Sequence, residues 1–367
     1  MVAFSSIDCT STFPYTQGMP TLTLVASKTK LILKWFSISI LYFSLIFVAT
    51  KIGVAIKERL APTPPPAPTV AFGKLPPIAF PISATDKKLT YSLDTITGLL
   101  PSLPYQARVY KMAQIKPRFL ALDNARQKVY RVGFVSSETH LSQNWYRWID
   151  ETFPSREITI NLFSHDFTLS SSFLSDPLAP RLTGNFSNVN SAINASQRFL
   201  FAMSYFPDDI DLTRTKTLIY SIRDGVLTPE TNVSKAQVIR VDFFQGNVDK
   251  LPIYYPNPST STINLLVTSL QDQELVVGAN FHYQPISKKA DIYPIKTATQ
   301  AFNELKAQKA YIASYFGKTS NISIKNIFLG YYIGEGKQNY LLPVVIFEGI
   351  NGFFAYVSAI MDEWIGS

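Results

Sequence analysis

The chain has 367 residues, 46% of them hydrophobic, and a net charge of +8. The positive excess lies mostly in residues 1–82, which hold seven Lys and Arg against two Asp and Glu, while residues 83–367 hold 27 against 24. The larger part is therefore only mildly basic, and its composition excludes a nucleic-acid binder.

Residues 1–30 form a polar, hydroxyl-rich leader that we expect to be cytoplasmic and poorly ordered. The leader contains Cys9, the only cysteine, so neither an intramolecular disulfide nor a cysteine-based metal cluster is possible. Lys28 and Lys30 then precede a long apolar run without a convincing cleavage site, which is typical of a signal-anchor.

Residues 31–56 are predicted to form a single transmembrane helix, because about 20 mostly apolar residues cross a hydrocarbon core about 30 Å thick. Residues 35–50 carry no charge. Lys34 and Lys51 flank this run, and their long side chains can reach the lipid headgroups, while Trp35 suits the membrane interface. The alternative is a buried helix in a soluble core.

The orientation of this helix is not decided by the positive-inside rule, because Lys51, Lys57 and Arg59 nearly balance the lysines that precede the run. The bulk of the chain follows a single N-terminal span, as in many exported anchored proteins. We therefore predict a single-pass membrane protein in the lipid bilayer, with a cytoplasmic N-terminus and an extracytoplasmic bulk.

Residues 57–82 are rich in proline, and this composition favours an extended, semi-rigid stalk. Such a stalk would hold the following part of the chain away from the bilayer. The alternative interpretation is a ligand for an SH3-type domain.

From residue 83 onward, amphipathic helical patterns are followed by strand-like runs separated by turns. The pattern predicts an α+β fold, in which the N-terminal single transmembrane helix precedes tandem units of one amphipathic helix packed on an antiparallel sheet. The predicted units cover residues 83–173, 174–290 and 291–367. The helix of the second unit is expected to begin at Asn190 or Ser191, both of which are good capping residues.

The helix of the C-terminal unit is the clearest, because Thr297 and Gln300 form a T-x-x-Q capping box. Predicted strands follow over residues 322–334, 339–349 and 353–360. Pro343 falls inside the second of them and favours an edge strand or a bulge, since proline has no N–H to donate.

This unit resembles the PepSY-like module of exported bacterial proteins, and in particular the C-terminal part of the membrane-anchored YycH and YycI regulators of a cell-wall sensor kinase. The likeness covers residues 291–360, under a fifth of the chain. The matching residues are Ala301, Leu305, Leu329, Tyr331, Tyr332, Pro343, Phe347, Glu348, Tyr356 and Ala359. The resemblance implies one N-terminal span, an extracytoplasmic α+β body, and binding or regulation without catalysis.

Catalytic and metal-binding patterns are weak. His140, His165 and His282 lie far apart and form no zinc spacing. His165 with Asp166 would supply half of a catalytic triad, but no G-x-S-x-G nucleophile motif accompanies it. The acidic cluster of Asp208, Asp209 and Asp211 offers oxygen ligands for a cation without the regular calcium-loop pattern. We predict no catalytic residue, cofactor or metal site.

The most consistent function is a non-catalytic, membrane-anchored extracytoplasmic module that regulates or scaffolds an envelope partner, such as a sensor kinase or an assembly component. One alternative is a structural subunit of a surface assembly. Another is an envelope hydrolase whose site is assembled from distant residues.

The strands of the C-terminal unit are apolar in both parities, which indicates that both faces of their sheet are covered. The outer face is covered either by the preceding unit or by a partner. In the second case Tyr331, Tyr332 and Tyr356 would include exposed partner-binding anchors, because tyrosine is common in interface hot spots.

Overall fold

The structure is a computed structural model that describes residues 22–60, 67–115, 119–152, 155–175, 186, 188–271 and 273–366. Contacts divide the chain into two units, Met1–Pro66 and Ala67–Ser367, and we call the second unit the body. Cys9, the leader as far as residue 21, and residues 61–66 of the expected stalk lie outside the described residues.

Helix α1 (Leu22–Leu60) contains the predicted apolar run. Its segment Thr29–Gly53 is the one helix among the described residues that is long and apolar enough to cross a membrane, although signal sequences share this property. Lys34, Trp35 and Lys51 are all exposed on α1. Nζ of Lys51 lies 5.6 Å from the centre of the Phe47 ring, so the lysine stem follows the apolar helix surface.

The body is an α+β fold, as predicted. Its α-helices within the described ranges are α2 (Ala121–Tyr130), α3 (Val189–Ala202) and α4 (Ala298–Lys306). Its strands are β1 (Thr90–Leu93), β2 (Gln106–Met112), β3 (Thr139–Ser142), β4 (Trp145–Asp150), β5 (Arg156–Asn161), β6 (Phe167–Ser171), β7 (Lys216–Arg223), β8 (Val226–Glu230), β9 (Val238–Phe243), β10 (Ile253–Tyr254), β11 (Ile263–Leu270), β12 (Gln273–Phe281), β13 (Ile286–Pro294), β14 (Tyr311–Ser314), β15 (Asn321–Tyr332), β16 (Tyr340–Gly349) and β17 (Phe354–Ser358).

Nine strands form an antiparallel first sheet in the order β3-β4-β5-β6-β12-β11-β9-β7-β8. Helix α3 packs on its central strands and buries Ala192, Ala195 and Phe199 against them. The side chain of Asn188 accepts hydrogen bonds from two N–H groups of the first turn. The helix therefore begins before the predicted caps, because the side-chain oxygen of Asn188 accepts hydrogen bonds from the N–H groups of Asn190 and Ser191.

The second sheet has the order β1-β15-β16-β17-β14, with β2 joining β16 to β13 and β10 lying parallel to β15. Helix α4 begins at the predicted capping box of Thr297 and Gln300 and buries Ala301 and Leu305. The three predicted C-terminal strands are present as β15, β16 and β17. The element order on which the PepSY-like resemblance rests is therefore present, with β14 added between α4 and β15.

The sheets do not follow the predicted unit boundaries at residues 173 and 290. Strand β6 of the first predicted unit pairs with β12 of the second, and β2 of the first pairs with β16 of the third. Strand pairing of this kind is non-local, and a local apolar pattern identifies a strand without identifying its neighbour. The body is therefore two interleaved sheets rather than three units in series.

Pro343 lies within β16 and is paired on both sides, so the expected edge position or bulge is wrong. Its carbonyl accepts the N–H of Ala359 at 3.0 Å. In an antiparallel pair the Ala359 carbonyl would accept an N–H from position 343, which proline lacks. That carbonyl instead accepts the N–H of Lys296 at 2.7 Å. Proline is tolerated here because a neighbouring segment supplies the missing donor.

Residues 67–84 form an extended segment, here called the strap, that lies along the second sheet. Leu75 is fully buried, donates its N–H to the Trp364 carbonyl and accepts the N–H of Gly366, each at 2.8 Å. The Phe80 ring stacks on Tyr311 at 5.1 Å between ring centres. Residues 67–82 of the expected stalk therefore belong to the body, because Leu75 is buried there and Phe72 and Ile78 are partly buried. Residues 57–60 of the expected stalk belong to α1 instead.

Candidate functional site

The tyrosines predicted to anchor a partner are buried. Tyr331, Tyr332 and Tyr356 have no exposed surface. The Tyr331 hydroxyl donates to the Arg108 carbonyl at 2.9 Å, and the Tyr356 hydroxyl donates to the Tyr255 carbonyl at 3.3 Å. Burial raises the pKa of all three hydroxyls above the ordinary tyrosine value. The partner-binding assignment is therefore wrong, because these side chains stabilise the core.

The outer face of the C-terminal strands is covered by earlier parts of the same chain. The ring of Tyr254 lies 5.8 Å from that of Tyr356, and the ring of Phe80 lies 4.9 Å from that of Tyr332. The preceding chain thus occupies the surface that a partner would have needed. Of the two alternatives for covering this face, the intramolecular one is confirmed.

The two sheets meet at a junction where β12 ends and β13 begins. Here Nδ1 of His282 lies 2.9 Å from Oδ1 of Asp166, a residue that precedes β6. On the other side of the ring, Nε2 of His282 lies 3.0 Å from the amide nitrogen of Gln284. These partners are mutually consistent when Nδ1 carries the proton and Nε2 accepts a hydrogen bond from the glutamine.

Gln284 links this histidine to the second sheet. Its amide nitrogen donates to the Gly336 carbonyl at 3.0 Å, and its carbonyl oxygen accepts the N–H of Gln338 at 2.8 Å. Gln284 is also buried. Both ring nitrogens of His282 are therefore hydrogen-bonded. The hydrogen-bonded series that runs from Asp166 through His282 and Gln284 to Gln338 links the two sheets.

The remaining histidines and the acidic cluster serve local structure. Nε2 of His140 lies 3.1 Å from the Gln143 carbonyl, and the His165 ring lies 5.7 Å from the Tyr205 ring. Asp211 caps a short 3-10 helix, and hydrogen bonds from Thr213 hold the pKa of Asp211 below its ordinary value. Within the part of the chain that the structure describes, no three His, Cys, Asp or Glu side chains are grouped to hold a metal.

A cavity of about 340 Å³ opens beside His282, between the end of the first sheet and the β15–β16 turn. We call it the carboxamide cavity, because five carboxamide side chains line it: Gln114, Asn144, Asn161, Gln284 and Gln338. Apolar surface comes from Met112 and from Phe163, which is 41% exposed. The cavity combines several donors and acceptors with one accessible aromatic ring.

A wider trough of about 620 Å³ lies on the other side of His282. Arg240 lines it and is held by two hydrogen bonds of 2.8 Å to the fully buried carboxylate of Asp242. Asn280 and Glu335 also line the trough. It is a mixed-charge surface rather than a site for an ion of one sign.

The trough continues along one face of the first sheet. This face is exposed at Thr139, Thr168 and Asn280, whereas Asn264 and Asp242 on the same face are buried. Directly paired residues place one row of polar side chains across eight strands, and we call it the polar row: Thr139, Arg147, Thr159, Thr168, Asn280, Asn264, Asp242 and Lys216. Neighbouring strand residues point to the opposite face, where Ile158, Leu169 and Leu265 join the core under α3. No helix within the described ranges packs on the polar row.

Comparison with known proteins adds little to this geometry. No family model matches the chain, and no curated protein matches it. Among solved structures, an uncharacterized protein from Eubacterium rectale is 14% identical with a TM-score of 0.41, covering 76% of this chain and 90% of its own. The YpeB C-terminal domain of Bacillus megaterium is 12% identical with a TM-score of 0.31, covering 67% of this chain and 95% of its own. Neither likeness is close enough to carry a fold or a function to this chain.

Sequence reasoning missed the junction because its members come from three distant segments. Asp166 and His282 are 116 residues apart and meet only because β6 pairs with β12. The usable signal was the alternation of polar and apolar residues in β6 and β12, which separates a polar from an apolar face. The polar row depends in addition on the order of the strands in the sheet, and the alternation within one strand does not reveal that order.

Proposed function

We propose that this protein is a non-catalytic, membrane-anchored module whose body lies outside the cytoplasm and binds an envelope partner. The observation that carries the proposal is the polar row, which crosses a nine-stranded sheet whose other face is closed by α3. This face exposes hydroxyl and amide groups at Thr139, Thr168 and Asn280 and the ammonium group of Lys216. It provides a broad surface for a protein with a complementary polar surface.

The absence of catalysis is part of the proposal. Asp166 and His282 form the arrangement closest to a catalytic pair, but Gln284 occupies the outer ring nitrogen that a general base needs. A structural role for His282 accounts for both of its hydrogen bonds. The resemblance of residues 291–360 to YycH and YycI makes a sensor kinase one candidate partner.

Membrane topology is tested with thiols on either side of α1. In a Cys9→Ser background, the thiol introduced by Lys318→Cys should react with a membrane-impermeant maleimide on intact cells, because Lys318 is exposed on the body. The native Cys9, in the unsubstituted chain, should react only after lysis. The reverse labelling pattern would place the body in the cytoplasm and contradict the proposal.

Partner binding is tested by placing a photo-crosslinking amino acid at Thr168, which is exposed in the middle of the polar row. Irradiation of intact cells should give one discrete adduct, and the same adduct should arise from Asn280 on the adjacent strand. Gln127 is the matched control, because it is exposed on α2, outside the polar row. Equal adducts from Gln127, or none from the row, would count against this surface.

A further inference from the structure

The carboxamide cavity holds hydrogen-bonding groups that the protein does not use. The side-chain amides of Gln114 and Asn144, and the amide nitrogen of Asn161, make no hydrogen bond to another described residue. The side chain of Asn161 is fixed in place because its Oδ1 atom accepts hydrogen bonds from the N–H groups of Phe163 and Ser164 at 2.9 and 3.1 Å. Its two N–H donors are therefore available at the cavity wall.

Several main-chain groups around the cavity are already paired. The N–H of Leu162 donates to the Asn144 carbonyl at 2.9 Å, and the N–H of Ala113 donates to the Pro285 carbonyl at 2.7 Å. The Asn161 carbonyl accepts the N–H of His165 at 2.9 Å. These paired groups are not available to a β-ladder with an extended peptide, and we therefore assign recognition in the cavity to its side chains.

The charges of the cavity do not select an ion. The carboxylate of Asp166 is paired with His282, and Lys337 is exposed at the β15–β16 turn. The interior is therefore lined mainly by neutral groups that both donate and accept hydrogen bonds. Groups of this kind match hydroxyls, which also donate and accept, better than they match a carboxylate or an ammonium group.

From this chemistry we propose that the carboxamide cavity binds a neutral, hydroxyl-rich saccharide of one or two rings. Asn144, Asn161 and Gln114 bond its hydroxyls, and the Phe163 ring packs against the apolar face of a sugar ring. The volume of about 340 Å³ lies near the lower end of the range of about 300–1,000 Å³ for small-molecule sites, so a longer glycan would enter only by its end. This site is separate from the partner surface proposed above.

The test is calorimetric titration of the detergent-purified full chain with N-acetylglucosamine, chitobiose and cellobiose at millimolar concentrations. We expect saturable binding of at least one of these sugars. Asn144→Ala should weaken binding about tenfold, which corresponds to about 1.4 kcal/mol and is the upper end of the contribution of one hydrogen bond. Phe163→Ala should weaken it as well, and its side chain is exposed enough that the fold should tolerate the change.

Gln127→Ala is the matched control, because Gln127 is an exposed carboxamide on α2 that lies outside both the cavity and the polar row. Its affinity should stay unchanged, and thermal melts should show that all three variants remain folded. Absence of saturable binding by all three sugars overturns the proposal. Loss of binding in Gln127→Ala but not in Asn144→Ala overturns the assignment to this cavity. Tighter binding of the neutral dipeptide Gly-Gln overturns the ligand class.

Discussion

A fragment that starts at residue 67 should be soluble and melt cooperatively, whereas one that starts at residue 83 should aggregate or melt at much lower temperature. The second fragment lacks the buried Leu75 and the partly buried Phe72 and Phe80 of the strap. Burying three such side chains contributes on the order of 5 kcal/mol. That is comparable with the whole stability of a typical domain, about 5–15 kcal/mol.

The control is Leu75→Ala within the longer fragment. This change keeps the strap and removes only its central anchor, so it should cost about 2–5 kcal/mol and give an intermediate melting temperature. Differential scanning calorimetry and size-exclusion chromatography of the three proteins provide the comparison. Equal melting temperatures for both fragments would show that the strap adds nothing to the body.

Replacing Tyr356 with Ala should destabilise the body by about 3–5 kcal/mol, as expected for a large buried aromatic side chain. The ring is fully buried and lies 5.8 Å from the Tyr254 ring and 5.9 Å from the Tyr332 ring, so truncation leaves a cavity inside an aromatic cluster. In thermal denaturation this should lower Tm by about 10 °C.

Tyr356→Phe separates the ring from its hydroxyl. It removes only the hydrogen bond to the Tyr255 carbonyl and should cost about 1 kcal/mol. Tyr105→Ala provides the exposed comparison, since Tyr105 is 80% exposed and its loss should change stability by no more than about 0.5 kcal/mol. A Tyr356→Ala protein that melts like the Tyr105→Ala protein would contradict the burial of this site.

Local signals predicted the elements well. The capping box at Thr297 placed the start of α4, and apolar runs bounded by turns located β15, β16 and β17. These features depend on residues a few positions apart along the chain. Element type is therefore accessible to sequence reasoning wherever one strand or one helical turn contains the whole signal.

The pairing of strands could not be predicted from such local signals. The interleaving of the two sheets depends on contacts such as β2 with β16, between segments more than 200 residues apart. The strap was mistaken for a spacer because its high proline content is a stronger local signal than its few apolar residues. The role of Leu75 is visible only in the fold, where its N–H bonds to the distant Trp364 carbonyl. The carboxamide cavity likewise joins residues from five segments, none of which carries a recognisable motif alone.

Biosynthesis must accommodate the position of the strap. Leu75 pairs with Ile365, a residue made 290 positions later along the chain. At about 5–20 residues per second, the ribosome needs about 15–60 s to reach that partner. Throughout this interval Leu75 lacks the segment that pairs with it on both sides. Docking of the strap at Leu75 therefore waits for synthesis of the segment around Ile365, and deletion of that segment should undock the strap near the start of the body.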